Sequence, residues 1–296
     1  MNLTQMLAAG MNHTVELLQV DFVQSALLAS LLLGLMSGVI APFIVIRQMS
    51  FAVHGTSELA LMGAAAALLT GINVGLGATL GSILAAIVLV LLGMNKQDSA
   101  VGVVMSFGLG LSVLFIHLYP GNSKRALSLL TGQIVGVQTD SVWLLAIIAA
   151  VVIGTVALIY RPLLFASVDP IMAEATGVHV HRLGILFAIL VGLTTAQSVQ
   201  IVGALLVMAL LITPGAAAVA VTSNPLSTIL LSTLFALTSA VGGFVLSLAP
   251  GYPVSVFVTT ISFLIYLICR FIGWQRSRHL EVAWLADHHD HETENA

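Results

Sequence analysis

Long apolar runs determine what this chain can fold into. Most of them have the roughly 20 residues that cross the hydrocarbon core of a bilayer as an α-helix. Only 7% of the residues are charged, whereas about a quarter are charged in ordinary soluble domains. The alternating segments of about ten residues that are typical of a membrane β-barrel are not visible. The sequence therefore predicts an all-α polytopic membrane protein with eight or nine transmembrane helices.

The apolar runs differ in length, and one of them is interrupted. The sixth run is short, and the polar residues of Gln197–Gln200 separate it from the seventh. This pattern predicts a re-entrant or discontinuous element, which leaves the count at eight or nine. The predicted spans are residues 22–46, 51–71, 73–94, 101–119, 142–160, 184–196, 200–221, 226–248 and 252–273.

Basic residues predict the orientation, because Lys and Arg are enriched in cytoplasmic loops. With nine spans, Lys124 and Arg125 fall on one side. The other side holds Arg47, Lys96, Arg161, Arg182, Arg270, Arg276 and Arg278. The chain is therefore predicted to be a multi-pass cell-membrane protein with a cytoplasmic C-terminus. Residues 1–21 are predicted as an amphipathic outer-surface segment, 22–273 as the transmembrane domain and 274–296 as a cytoplasmic tail. Merging two runs into one span would move the N-terminus to the other side.

Two pairs of glycines lie four residues apart within predicted spans. They are Gly34 with Gly38 and Gly77 with Gly81. Such pairs permit the backbone of a neighbouring helix to approach closely. Because the chain contains 26 glycines, chance spacing is an alternative interpretation.

Glu58 is the only one of the twelve acidic residues that lies within a long apolar run. An acid at membrane depth costs about 2.5–3.5 kcal/mol by insertion scales and is a functional candidate for that reason. His54 lies four residues earlier, so that the two side chains project from nearly the same face of a helix. Imidazole and carboxylate both bind divalent transition metals. The pair predicts a metal site, and a proton relay or a buried hydrogen bond that fixes packing are the alternatives.

The polar break between residues 161 and 183 contains the signals of a short helix. Asp169 is predicted as its N-cap and Pro170 as its first residue. The helix then makes about two turns and ends at Gly177 in a C-cap-like position. A short surface helix between two spans suits the docking of a soluble partner, whereas a plain loop with a helical turn is the alternative.

The C-terminal tail combines imidazole and carboxylate groups. Short tracts of this kind can hold zinc or other metals weakly. A disordered, solubilising tail is the alternative. The residues concerned are His279, Asp287, His288, His289, Asp290, His291 and Glu292.

Three stretches of the chain carry a resemblance to a known family. They read RQMSFAVHGTSELALMGAA from Arg47, SVDPIMAEATGVHVHRLGILFAIL from Ser167 and QSVQIVGALLVMALLITPGAAA from Gln197. Over residues 22–273 the chain resembles the membrane permease subunit of zinc, manganese and iron ABC importers, the ABC-3 type. The resemblance implies an ABC permease fold with a cytoplasmic coupling helix at about residues 169–177. It implies that Asp169, Pro170, Glu174 and Gly177 contribute to coupling.

The resemblance also implies a role for the His54/Glu58 pair. The family commonly has the pattern G-D-x-x-x-H, whose acid aligns with His54 and whose histidine aligns with Glu58. The two groups are exchanged here, which preserves one imidazole and one carboxylate in a metal site on the translocation path. The implied partners are a second copy of the chain, a cytoplasmic ABC ATPase and an extracytoplasmic metal-binding protein, and membrane lipid surrounds the spans. No nucleic acid and no cofactor are expected.

The chain lacks the phosphate-binding motif G-x-x-x-x-G-K-[ST]. It is therefore expected to be no enzyme itself and to rely on a separate ATPase. Two other functions stay open. One is a gradient-driven secondary metal transporter in which Glu58 is the coupling acid. The other is a membrane metal sensor or scaffold that uses the tail.

Overall fold

The computed structural model describes residues 19–91, 98–122, 139–248 and 252–294 together with Leu17 and Leu129, with side chains described as far as Arg276. All regular secondary structure in these ranges is helical. The helices are α1 (Asp21–Ile46), α2 (Ser50–Thr70), α3 (Val74–Leu91), α4 (Asp98–Leu118), α5 (Thr139–Leu158), α6 (Tyr160–Val168), α7 (Pro170–Ala175), α8 (Val180–Val202), a 3-10 turn (Ala204–Leu206), α9 (Val207–Leu211), α10 (Thr213–Val221), α11 (Pro225–Leu248) and α12 (Val254–Glu294). The all-α prediction is confirmed.

Seven of the described helices are long and apolar enough to cross a membrane. They are α1, α2, α4, α5, α8, α11 and α12. The predicted third and seventh spans correspond to shorter apolar stretches, Val74–Leu89 and Val207–Val221. A total of eight or nine spans stays a prediction.

The predicted break at Gln197–Gln200 is wrong, because α8 continues through it to Val202. Gln197 is 2% exposed, so tertiary packing accommodates its polar side chain inside the helix. The break follows at Gly203, whose φ of 89° and ψ of 154° are readily accessible only to glycine. A second break follows at Ile212, and α10 then begins with Pro214 in its first turn.

Close packing through both glycine pairs is confirmed. A Cβ atom on Gly34 would lie 3.1 Å from the Cα atom of Leu237. One on Gly81 would meet the carbonyl oxygen of Leu59. Gly34 and Gly38 therefore bring α1 against α11, and Gly77 and Gly81 bring α3 against α2.

Helices α1, α2 and α8 form the inner part of the fold, whereas α4, α5 and α12 present apolar side chains outward. Phe107 is 62% exposed and Trp143 is 69% exposed. Apolar groups on the exterior suit a lipid environment, in which water does not oppose their exposure.

The two ends of the chain bear on the predicted domains. Residues 1–16 of the predicted outer-surface segment lie outside the described residues. At the other end, α12 continues from Val254 to Glu294, across the boundary predicted at residue 274. The predicted tail therefore begins within a helix.

Candidate metal site

Helix α2 carries both predicted metal ligands, and a tight turn sets where it begins. The backbone N–H of Met49 donates to the carbonyl of Ile44 at 2.9 Å, and that of Gln48 donates to Val45 at 3.0 Å. These two bonds form a Schellman motif, in which Gln48 adopts a left-handed φ of 55°. Helix α2 then ends at Gly71, which is also left-handed.

The pair lies inside the protein with donor atoms that have no partner. Glu58 is 6% exposed, and His54 is half-buried. Among the described residues, neither Glu58 Oε2 nor His54 Nδ1 has a hydrogen-bond partner. A buried polar atom without a partner costs about 1–3 kcal/mol, and both atoms are of types that bind divalent transition metals.

The backbone around Glu58 is held by two neighbouring helices. A Cβ atom on Gly108 of α4 would lie 3.3 Å from the carbonyl carbon of Glu58. A Cβ atom on Gly55 of α2 would lie 3.1 Å from Val101, which is also on α4. On another side of α2, a Cβ atom on Gly81 of α3 would meet the carbonyl oxygen of Leu59. Helix α2 is thus closely packed on two sides beside its acidic residue, which fixes the backbone at Glu58 relative to the bundle.

One chain supplies an incomplete coordination shell. In the described ranges, no group of three or more His, Cys, Asp and Glu side chains is placed to hold a metal ion. The pair offers one imidazole and one carboxylate, whereas divalent transition metals take four to about six ligands. A metal ion at this pair would need further donors from water, from neutral oxygen atoms or from another chain.

The structure also shows six buried hydroxyl groups without a hydrogen-bond partner among the described residues, two of them those of Ser57 and Thr195, which the sequence analysis missed. Ser57 and Thr195 are 0% exposed, and their Oγ and Oγ1 atoms have no partner among the described residues. By contrast, neighbouring Thr56 donates to the Ala52 carbonyl at 2.9 Å, and Thr194 donates to Leu190 at 2.8 Å. The sequence does not indicate which hydroxyls donate to a backbone carbonyl and which have no partner, because that depends on the side-chain rotamer.

The predicted short helix is present as α7. Asp169 Oδ1 accepts a hydrogen bond from the backbone N–H of Met172 at 2.9 Å, and Pro170 is the first residue. At the other end, Gly177 has a φ of 89°, and the N–H of Val178 donates to Ala173 at 3.0 Å. The N-cap and the Schellman motif confirm the predicted limits of this helix.

Helix α7 presents an apolar surface on an otherwise polar segment. Ile171 is 83% exposed and Met172 is 55% exposed, whereas Ala173 is fully buried against the rest of the protein. Glu174 and Gly177 are exposed. The helix is thus attached to the rest of the protein by one side and exposed on the other.

Residues 19–273 match the family described as the ABC 3 transport family. The chain belongs to this family. The manganese transport system membrane protein MntC of Listeria monocytogenes is 34% identical over 273 residues, which cover 90% of this chain and 97% of that protein. The manganese import system permease protein ScaB of Streptococcus parasanguinis is 34% identical over 240 residues, which cover 79% and 85%.

A solved structure supports membership of the ABC 3 transport family. It is PsaBC from Streptococcus pneumoniae in complex with Fab, with a TM-score of 0.82 and 26% sequence identity. The match covers 92% of this chain and 99% of that chain. The ABC permease fold that the sequence predicted is therefore confirmed.

The second group of predicted metal ligands in this ABC 3 family chain lies in the tail. The side chains of His279, His288, His289 and His291 lie outside the described residues, as do those of the neighbouring acids. Metal binding by the tail stays a prediction.

Proposed function

We propose that this chain is the membrane permease subunit of an ATP-driven importer and that Mn²⁺ is its principal cargo. The relatives MntC and ScaB are named for manganese transport and import, and each is 34% identical to the chain. The observation that carries the proposal is the buried His54/Glu58 pair with its unpartnered Nδ1 and Oε2 atoms. A charge-bearing pair inside apolar helices is costly unless an ion uses it.

The cargo binds at His54 and Glu58 where two copies of the chain meet. Each copy contributes one imidazole and one carboxylate, so a two-fold axis beside α2 produces two of each. This set accepts Mn²⁺, Fe²⁺ or Zn²⁺, and geometry and availability select among them. The absence of thiolate favours a site that binds the ion well enough to admit it and weakly enough to release it.

The energy comes from a separate cytoplasmic ATPase that docks on α7. Exposed Ile171 and Met172 provide apolar contacts, and the caps at Asp169 and Gly177 hold the helix in shape. An extracytoplasmic metal-binding protein delivers the ion to the other face. The C-terminus lies in the cytoplasm with the docking helix, as the distribution of Lys and Arg predicts.

Metal uptake by the complete importer tests the proposal. The chain, its ATPase and the extracytoplasmic metal-binding protein are produced together in a strain without its own Mn²⁺ importers, and uptake of Mn²⁺, Zn²⁺ and Fe²⁺ is compared. We expect Mn²⁺ uptake to require all three proteins and Glu58→Gln to abolish it. Copurification of the ATPase with the Glu58→Gln permease at wild-type yield is the control for assembly. Unchanged Mn²⁺ uptake by this variant would remove Glu58 from the mechanism.

A gradient-driven transporter is the second candidate, because a buried carboxyl without a hydrogen-bond partner is also the group that a proton relay needs. Under this alternative, Glu58 carries the coupling proton. Uptake that persists without the ATPase and stops when the proton gradient is collapsed would favour the second candidate over the importer.

A further inference from the structure

Arg47, in the turn between α1 and α2, lies on a cluster of three aromatic rings, two of them buried and the third half-buried. Its guanidinium carbon is 5.2 Å from the centroid of the Phe187 ring. Phe187 packs edge-to-face on Phe43 at 6.1 Å, and Phe43 packs edge-to-face on Tyr160 at 6.4 Å. Phe43 and Phe187 are 1% and 0% exposed. We refer to Phe43, Tyr160 and Phe187 as the aromatic cluster.

The contact between Arg47 and Phe187 has the chemistry of a cation–π interaction in a partly dry environment. Burial lowers the pKa of the Arg47 guanidinium, yet a guanidinium stays charged at neutral pH. Cation–π attraction strengthens when the cation is desolvated. Arg47 is therefore bound to the face of Phe187 by a directional contact, and the backbone on either side follows its position.

The aromatic cluster connects the two helices that flank the docking helix. Tyr160 is the first residue of α6, which leads directly into α7. Phe187 lies on α8, which follows α7. Helix α6, which carries Tyr160, and helix α8, which carries Phe187, are each joined to α7 by a short connection. A displacement of α7 would therefore act on both residues.

Arg47 is also close in sequence to the proposed metal ligands. Phe43 lies in the last turn of α1, Arg47 follows α1 directly, and His54 lies in the second turn of α2. The Schellman motif at Gln48 makes the intervening turn tight, with backbone hydrogen bonds of 2.9 and 3.0 Å. Only Gln48 and Met49 separate Arg47 from the first residue of α2, so that a movement of Arg47 would act directly on the start of that helix.

We propose that Arg47 is a positioning residue that couples docking helix α7 to the His54/Glu58 pair through Phe187 and the aromatic cluster. Movement of α7 by the ATPase displaces Phe187, Phe187 carries Arg47, and Arg47 reorients the first turns of α2. The inference rests on the proposed function and adds to it the route by which ATP hydrolysis reaches the ion.

The ratio of ions transported to ATP hydrolysed tests this role. Wild-type and variant permeases are reconstituted in liposomes with the ATPase and the extracytoplasmic metal-binding protein. We expect Arg47→Gln to lower Mn²⁺ uptake about tenfold while ATP hydrolysis stays within about twofold of wild type. Binding of Mn²⁺ to the variant and copurification of the ATPase should equal those of wild type. Arg47→Lys retains the cation and should restore most of the uptake.

Further variants test whether the effect depends on the contact between Arg47 and the Phe187 ring. Phe187→Leu removes the ring and should reproduce the loss, whereas Phe187→Tyr keeps the ring and should transport. The double variant Arg47→Gln/Phe187→Leu should be no worse than either single change, because both remove one shared contact. Arg276→Gln is the matched control, since Arg276 donates to the Val221 carbonyl at 3.1 Å, away from the aromatic cluster.

Three results would overturn the coupling role. They are wild-type uptake in Arg47→Gln, a parallel fall of uptake and ATP hydrolysis, and losses that add in the double variant. A wild-type complex that takes up no Mn²⁺ would instead overturn the proposed function, and this inference with it. If Arg47→Gln does not assemble, the comparison of Phe187→Leu with Phe187→Tyr decides the question.

Discussion

Gly38 of α1 leaves no room for a side chain against Thr233 of α11. A Cβ atom on Gly38 would lie 3.0 Å from the backbone nitrogen of Thr233 and closer still to its Cα atom. Backbone atoms cannot rotate away as a side chain does. The two helices are therefore held together by direct backbone contact, as small residues at membrane helix interfaces allow.

Gly38→Ala should destabilise the protein, because the added methyl group must force α1 and α11 apart. Overpacking of this kind costs about 1–3 kcal/mol. Thermal unfolding of the detergent-solubilised chain measures it, and the midpoint should fall. Gly154→Ala is the matched control, since Gly154 is exposed and has no atom within 4 Å of its Cβ position. Equal midpoints for the two variants would contradict the prediction.

Exchanging the metal ligands should restore a function that either single change removes. His54→Asp and Glu58→His each leave two like groups and should lower Mn²⁺ uptake by about ten- to a hundredfold. The double variant His54→Asp/Glu58→His again has one carboxylate and one imidazole four residues apart on α2. We expect it to recover most of the Mn²⁺ uptake, measured in the strain without its own Mn²⁺ importers. A double variant as inactive as the singles would show that the order of the two ligands is fixed.

Gly177→Val should weaken docking of the ATPase without disturbing the bundle. The φ of 89° at Gly177 costs a β-branched residue about 1–2 kcal/mol, so the Schellman motif at the end of α7 opens. Copurification of the ATPase with the variant permease measures the effect, and the yield should drop about tenfold. Gly184→Ala has neither a positive φ nor an atom within 4 Å and should copurify as wild type does. Full yield with Gly177→Val would remove α7 from the docking surface.

Gln48→Gly should stabilise the protein. Gln48 is the one described residue other than glycine with a positive φ, and glycine adopts that conformation without the steric cost. The greater freedom of glycine in the unfolded chain offsets part of the gain, leaving about 0.5–1 kcal/mol. The thermal midpoint should rise for Gln48→Gly and stay near wild type for Gln48→Ala, whose Cβ keeps the strain. A lower midpoint for Gln48→Gly would refute this account.

The features that could be predicted from the sequence depend on local rules. Asp169, Pro170 and Gly177 define α7 because caps act within one turn of the backbone. The spacing of His54 and Glu58 places them on one face of α2 because helical geometry alone decides it. Long apolar helices were predictable because a bilayer leaves few alternatives.

The features that were missed depend on tertiary packing. Gln197 and Gln200 were interpreted as a break, yet the Gln200 side chain lies against Gly75, with Oε1 2.7 Å from where a Cβ atom would stand. The missing side chain of Gly75 creates that space, and no local pattern around Gln200 indicates it. The Arg47–Phe187 contact joins residues 140 positions apart in the sequence and was likewise not visible.

The last helix has a consequence for the reach of this protein. Its 41 residues rise about 1.5 Å each and make a rod of about 60 Å, twice the roughly 30 Å depth of the lipid hydrocarbon. Near the midpoint of this rod, Arg276 donates a hydrogen bond to the Val221 carbonyl at the end of α10. The apolar span of α12 ends at Arg276, so the helix continues past the length that a bilayer core requires, and its last described turns are displaced from that span by helical rise.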